Sequence, residues 1–409
     1  MNETLPGEVY LIGAANAFVA NRGGILGFGS RRVMALGLPL LAALTVSEMR
    51  AVLAHEFGHY YGGDTRLIPW VYKAQKAIVR ALENVGSIQD GFQNGILQVL
   101  FTLVFGILKG TFGVFLRVVN FISRKQEFRA DELACIVAGA SSHEQGLRKV
   151  HSATMAWPSY WQTEVVPVLG RGCAPEIGDG FCRYLKAPLI AGQVSQLLEK
   201  ELSEGKTAPF DSHPRLRERL NAIDQLQMDT RPQDTRAAST LLDTAQTAEE
   251  QFLRFLNPEF PEAGLRVVTW DNVGQEVMIP AWKSTVSQYA MIFSDVTPEL
   301  LPDLMPKLGQ LAAKVRDPVG RILTGQERLQ TVATILGIGV QLALLANGWE
   351  LVNLPGVFYL KRGEETIVPE NEVIAVLSGK TSRDAWVARC AELGITHVAL
   401  ASLGERPAA

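Results

Sequence analysis

The sequence predicts an α+β protein of two domains. The first is mainly helical with a small N-terminal β-sheet, and the second is mostly helical with a β-hairpin. Three observations carry this. Up to about residue 40, β-branched and aromatic clusters are broken by Gly23-Gly24 and Gly27-Phe28-Gly29, which reads as strands and turns. From Thr45 onward the pattern is helical. Near the far end, Val357–Lys361 and Thr366–Val368 flank Arg362-Gly363 as two short strands flank a turn. A chain of 409 residues is too long for one core. The boundary is expected where the sequence turns polar between Met228 and Ala238, giving domains 1–228 and 229–409.

Taken in order, the first strand is expected at Val9-Tyr10-Leu11-Ile12, close to the first residue. With no secretory signal ahead of it, the N-terminus reads as truncated. Thr45 followed by Glu48 fits a capping box, and Gly62-Gly63 supplies a stop, so a helix lies between them. Further helices are expected leading into Ser123–Ala140 and around Ala191–Leu202, with the Gly- and Pro-containing stretch Cys173–Cys182 as loop. In the second domain the apolar run Val332–Ala346, ended by Asn347-Gly348, is too short for a comfortable membrane span and reads as a core helix. A last helix ends near Gly394.

Ile96–Leu116 carries two readings. Its first thirteen residues are too short to cross a bilayer, and the full twenty-one must carry Lys109. It is either a long helix buried in protein or a membrane contact.

Composition narrows the classes. Apolar residues make up 47% and charged residues 20%, which is ordinary for a folded chain. A net charge of -3 gives no basic footprint, so nucleic acid is not an expected partner. Cys135, Cys173, Cys182 and Cys390 form no C-x-x-C pair, which points to reduced thiols rather than a disulfide framework.

The chemistry sits in His55-Glu56-Phe57-Gly58-His59. On a helix, residues four apart share a face, so both imidazoles can reach one ion while Glu56 holds a water beside it. A catalytic zinc takes three protein ligands. A third ligand six residues after His59 would fall on Thr65; Asp64 is one residue out of register, so that route fails. The other route is a carboxylate on a second helix, which Glu127-Phe128-Arg129-Ala130-Asp131 fits. Glu127 and Asp131 are one turn apart, so one can bind metal while the other orients a ligand histidine. Alternatively, both acids sit on a solvated face with Arg124 and Lys125.

Ser123-Arg124-x-x-Glu127-Phe128-x-Ala130-Asp131, placed after His55-Glu56-x-x-His59, resembles the HtpX and CAAX prenyl protease family of zinc metallopeptidases. Asn16-Ala17-Phe18 resembles that family's N-A-F element on the strand side of the cleft. His213-Pro214 followed by Arg219 resembles its H-P-x-x-x-x-R element. The likeness covers residues 8–222 and does not reach the second half. It implies a zincin-type metallopeptidase domain of the gluzincin kind, with one Zn2+ per chain on His55, His59 and Glu127. Members usually carry sequence upstream of the N-A-F strand, often with membrane helices, and many have membrane helices between the zinc motifs. Here only Ile96–Leu116 stands in for those.

The expected activity is hydrolysis of peptide bonds in proteins, with Glu56 as the general base. His213 is the candidate donor to the oxyanion, with a purely structural place at a helix start after Ser212 as its alternative. Arg219 is expected to organise Asp131 or nearby acids. Apolar residues from Asn16 to Ala20 could pair with an extended peptide substrate as an added strand. His143, His151 and His397 have no partner at useful spacing and read as ordinary residues. The expected location is a membrane with the active site on the cytoplasmic side, the alternative being the cytoplasm. Three rivals remain: a catalytically inactive zinc-binding relative that acts as a partner-binding module, a zinc hydrolase of non-peptide substrates, and a scaffold with an accidental motif.

Overall fold

The computed structural model describes residues 5–23, 31–61, 71–83 (without 72, 75 and 82), 96–203, 207–208, 211, 213–226, 232–243, 245–256, 265–315 and 324–404. Gly27-Phe28-Gly29, Gly62-Gly63, Thr65, Ser212, Met228 and Asp229 lie outside them. The chain is mostly helical with small sheets, an α+β layout. It forms two compact units, residues 1–159 with 188–258 and residues 160–187 with 259–409.

The first unit opens with β1 (Glu8–Ile12), β2 (Ala17–Arg22) and β3 (Arg31–Gly37). They form one sheet in the order β1-β3-β2, with β1 parallel and β2 antiparallel to the central strand. Ala17 pairs with Leu36 and Phe18 with Ala35, so β2 offers its other edge unpaired within the sheet. Helices α1 (Leu38–Ala43) and α2 (Val46–Tyr61) follow. The capping box at the start of α2 is complete: Thr45 N donates to Glu48 Oε2 at 2.8 Å and Glu48 N to Thr45 Oγ1 at 3.3 Å. Lys149 Nζ closes on the same Glu48 Oε2 at 2.8 Å, which explains how this carboxylate can be buried.

Next come α3 (Ile96–Ala138), α4 (Ala140–Tyr160), α5 (Pro188–Ser203), α6 (Leu216–Asp224) and α7 (Ala245–Leu256). Helix α3 packs against α2 and α6. Its N-terminal half is not buried in protein: Val99, Leu103, Ile107, Val114 and Val118 are all exposed. The reading of Ile96–Leu116 as a protein-buried helix is therefore corrected. Helix α3 is long and apolar enough to cross a membrane, judged by length and composition alone.

The expected boundary at 228/229 is also corrected, because the polar stretch stays with the first unit. Val46 N donates to Arg236 O, Ser47 N to Asp234 O and Ala238 N to Leu44 O, so residues 234–238 are tied to the start of α2.

In the second unit, Cys173–Cys182 is not loop. Cys173–Pro175 forms strand β4, paired in parallel with β5 (Arg266–Val268), and a helix runs from Ile177 to Lys186. Their formation buries Ile177 and Phe181 completely, and burial of such side chains outweighs the Gly and Pro content. The hairpin is present as β7 (Val357–Arg362) and β8 (Glu365–Ile367), with β6 (Glu350–Leu354) on its far side. The apolar run expected as a core helix is one: Gly325–Ala346 is capped by Thr324 and Glu327 and buries Val332, Leu336, Val340 and Leu344.

Candidate metal centre

Helix α2 presents His55 and His59 from consecutive turns of one face, with ring centroids 5.0 Å apart. Helix α3 presents Glu127 opposite them. His55 Nε2 lies 3.5 Å from Glu127 Oε2, and His59 Nε2 lies 3.8 Å from Glu127 Oε1. One ligand atom from each of the three residues falls within 4.8 Å of the others. Two imidazole nitrogens and a carboxylate oxygen gathered this closely suit a borderline divalent cation such as zinc.

One turn beyond Glu127, Asp131 is almost fully buried and takes donors from three sides. Arg219 of α6 reaches it twice, Nε to Oδ2 at 2.8 Å and Nη2 to Oδ1 at 2.5 Å. His55 Nδ1 lies 3.0 Å from Oδ1. His143 Nε2, from α4, lies 2.8 Å from the same oxygen. Because Nδ1 of His55 is turned to Asp131, its Nε2 is the atom left to face Glu127. The acids do not sit on a solvated face: Glu127 and Asp131 are both buried, and Arg124 points away to donate to Asp211 O at 2.7 Å.

These contacts set the charges. Burial opposes ionisation of Asp131, but hydrogen bonds from Arg219, His143 and His55 hold its carboxyl far below the usual range. Burial likewise opposes ionisation of Glu127, and His213 and His55 outweigh it in the same direction. Burial pulls His55 down, yet its bonds to Asp131 and Glu127 bring it up to about 9. Glu56 is different. Burial pushes it up to about 7, helped by the charge on Glu127 and opposed by His55.

His213 Nδ1 lies 3.0 Å from Glu127 Oε1 while the ring stays largely exposed. The imidazole does not start a helix, since α6 begins at Leu216 with Arg215 as its N-cap. The bond to Glu127 raises the pKa of His213. Asn16 stands just ahead of β2, its Oδ1 accepting from Ala17 N at 2.9 Å; Ala17 is buried and Phe18 is exposed on β2.

Sequence reasoning placed three histidines as unpartnered, and this is corrected. His143 bonds Asp131, His151 Nδ1 lies 3.0 Å from Glu201, and His397 Nδ1 lies 2.8 Å from Glu299. Each partner sits at a separation with no helical or hairpin period, so spacing carried no signal of it.

The sequence model for peptidase family M48 matches residues 5–227, more than half of the chain. The chain belongs to this family. Among curated proteins, it is similar to "Protease HtpX" of Acinetobacter baumannii (strain AYE), 27% identical over 207 residues that cover 47% of this chain and 58% of that one. "Protease HtpX" of Psychrobacter sp. (strain PRwf-1) is 31% identical over 131 residues, 30% of this chain and 43% of the relative. "Protease HtpX homolog" of Chlorobium phaeobacteroides (strain BS1) is 29% identical over 149 residues, 33% and 46% respectively. The chain thus spans about half the length of these curated relatives, 43–58%, and the stretch matched by the family model contains the candidate metal centre. No solved structure matches the chain.

Proposed function

We propose that the protein is a zinc-dependent endopeptidase with one Zn2+ held by His55 Nε2, His59 and Glu127. The observation that carries this is the convergence of those three donors from two helices to within 4.8 Å, beside a fourth group, Glu56, whose proton affinity sits near neutrality. A zincin-type fold of the gluzincin kind is part of the same reading, supported by a glutamate on a second helix as third donor. When bound, the ion supplies Lewis acidity towards the scissile carbonyl and towards water.

The chain's own residues do the rest. Glu56 takes a proton from the attacking water and passes it to the leaving amine, a role suited to a carboxyl raised towards pH 7. His213, bonded through Nδ1 to Glu127 and otherwise exposed, donates to the developing oxyanion. Asp131 fixes the His55 ring, and Arg219 fixes Asp131. The outer edge of β2, with Asn16, Ala17 and Phe18 at its start, pairs with an extended segment of a protein or peptide substrate. Backbone pairing reads few side chains, which favours broad specificity.

We place the protein at a membrane, with α3 in contact through residues 96–116 and the active site on the cytoplasmic side. Exposed Val99, Leu103 and Ile107 support the contact, and Arg124, Lys125 and Arg129 at the site end of α3 support the side. A cytoplasmic protein is the alternative.

Elemental analysis of wild-type protein and Glu127→Ala tests the centre. One zinc per chain, largely lost in the variant, is the expected result. No zinc in the wild type after supplementation at neutral pH would overturn the peptidase reading and leave a partner-binding relative in its place.

A further inference from the structure

Asp131 carries one donor more than the orientation of a metal ligand requires. His55 and Arg219 account for the expected triad of ligand, carboxylate and cation. The extra donor is His143, which comes from a different helix. It is 3% exposed, and its ring lies 5.9 Å from the His55 ring at an interplanar angle of 22°. Backbone geometry puts it there. Gly139 ends α3 in the left-handed region at φ 90°, where a side chain would be strained, and its N–H returns to Cys135 O at 2.8 Å. The chain reverses at once, His143 N bonds Gly139 O at 3.1 Å, and the first turn of α4 carries the imidazole back over Asp131.

Among the described residues, the His143 side chain hydrogen-bonds Asp131 alone. Nε2 donates to Oδ1 at 2.8 Å, while the buried Nδ1 has no hydrogen-bond partner among the described residues. A histidine kept only for packing could be replaced by an apolar side chain, which would also remove the cost of that bare nitrogen. His55, Asp131 and His143 also lie close enough to hold an ion between them. The Arg219 guanidinium already occupies both oxygens of Asp131, and a second cation there would meet it directly. The cluster is therefore suited to holding a ligand still, not to binding a second metal.

We propose that His143 is a positioning residue for the metal centre. It fixes Asp131 Oδ1 against the His55 Nδ1–H, so that His55 Nε2 is presented to the metal in one tautomer and one orientation. This rests on the proposed zinc site.

Zinc titrations on the full chain, with thermal unfolding of each metal-free protein, test it on wild type, His143→Leu and His143→Gln. For the leucine variant, the zinc dissociation constant is expected to rise about tenfold, the lower end of what loss of a group behind a metal ligand costs. Its metal-free melting temperature should be unchanged or higher. Glutamine, which can still donate an N–H to Asp131, should recover most of the affinity, and it also supplies a folded comparison if leucine fails to fold. Wild-type zinc affinity in a folded leucine variant, or lower metal-free stability with affinity intact in either variant, would overturn the proposal and leave the zinc site standing. A wild type that binds no zinc would overturn both, and the wild-type titration alone reveals that case.

Discussion

Gly58 of α2 and Ala130 of α3 meet so closely that a Cβ on Gly58 would stand 3.1 Å from the Ala130 Cα and 3.3 Å from its Cβ. Gly58 lies between His55 and His59, and Ala130 lies between Glu127 and Asp131. This close approach of the two helices is thus the place where the candidate ligands face each other.

Gly58→Ala is predicted to weaken zinc binding several-fold. The substitution favours the helix by about 1 kcal/mol in propensity, but overpacking against a backbone atom costs about 1–3 kcal/mol. The metal-free protein should lose about 1 kcal/mol, and Gly58→Val more. Denaturant unfolding beside zinc titration checks this; an alanine variant of wild-type affinity would show that the spacing of the helices is set elsewhere.

Glu56→Gln should keep zinc and lose hydrolysis, by the roughly 10²- to 10⁴-fold that a positioned general base contributes. Casein digestion paired with elemental analysis reads both. Retained turnover in a zinc-loaded variant would remove Glu56 from the role.

Arg219→Ala leaves Asp131 and Glu127 buried without the cation between them, since Arg219 also stands 3.4 Å from Glu127 Oε2. Breaking a buried pair this way typically costs about 3–5 kcal/mol. The midpoint of urea unfolding should fall accordingly, and Arg219→Lys should rescue only part, because an ammonium cannot match both carboxylate oxygens at once. An unchanged midpoint would sink the account.

All four cysteines are free thiols, as the scattered spacing led one to expect. Burial, reinforced by Asp131 and Glu132, pushes Cys135 up to about 12, and burial with Glu299 does the same for Cys390. At pH 8 each is thiolate in on the order of one molecule in ten thousand, and the fraction rises with pH. Iodoacetamide at pH 8 should modify half-buried Cys182 first and reach Cys135 and Cys390 only when urea opens the chain. Peptide mass spectrometry gives the order; early labelling of Cys390 would contradict the burial argument.

The grouping of His55, His59 and Glu127 was legible because its signals are periodic. His55 and His59 are one helical turn apart, Glu127 and Asp131 likewise, and Thr45 with Glu48 marks where the first helix begins. His143 escaped because its partner depends on a chain reversal at Gly139, and nothing in A-G-A-S-S-H announces which way the next helix runs. Cys173–Pro175 escaped for a related reason: a three-residue strand has almost no pattern of its own, and its pairing to Arg266–Val268 bridges ninety residues of sequence. The edge between the two units escaped because composition marks flexible, polar sequence. Residues 234–238 are polar yet bonded to the start of α2.

The meeting of His59 with Glu127 restricts how the chain can be threaded through a lipid bilayer. Both groups stand on the same side of any such barrier, so the segment joining them must cross it an even number of times. Between them only α3 offers a long apolar run, broken once by Lys109. Asp64, Arg66, Lys73, Lys76, Arg80, Glu83 and Asp90 divide the sequence before it into pieces of no more than about six uncharged residues, far short of the roughly twenty that a crossing takes. One complete passage by α3 would strand the histidines opposite their glutamate. An apolar α3 that meets lipid therefore does so on the catalytic face, without completing a crossing.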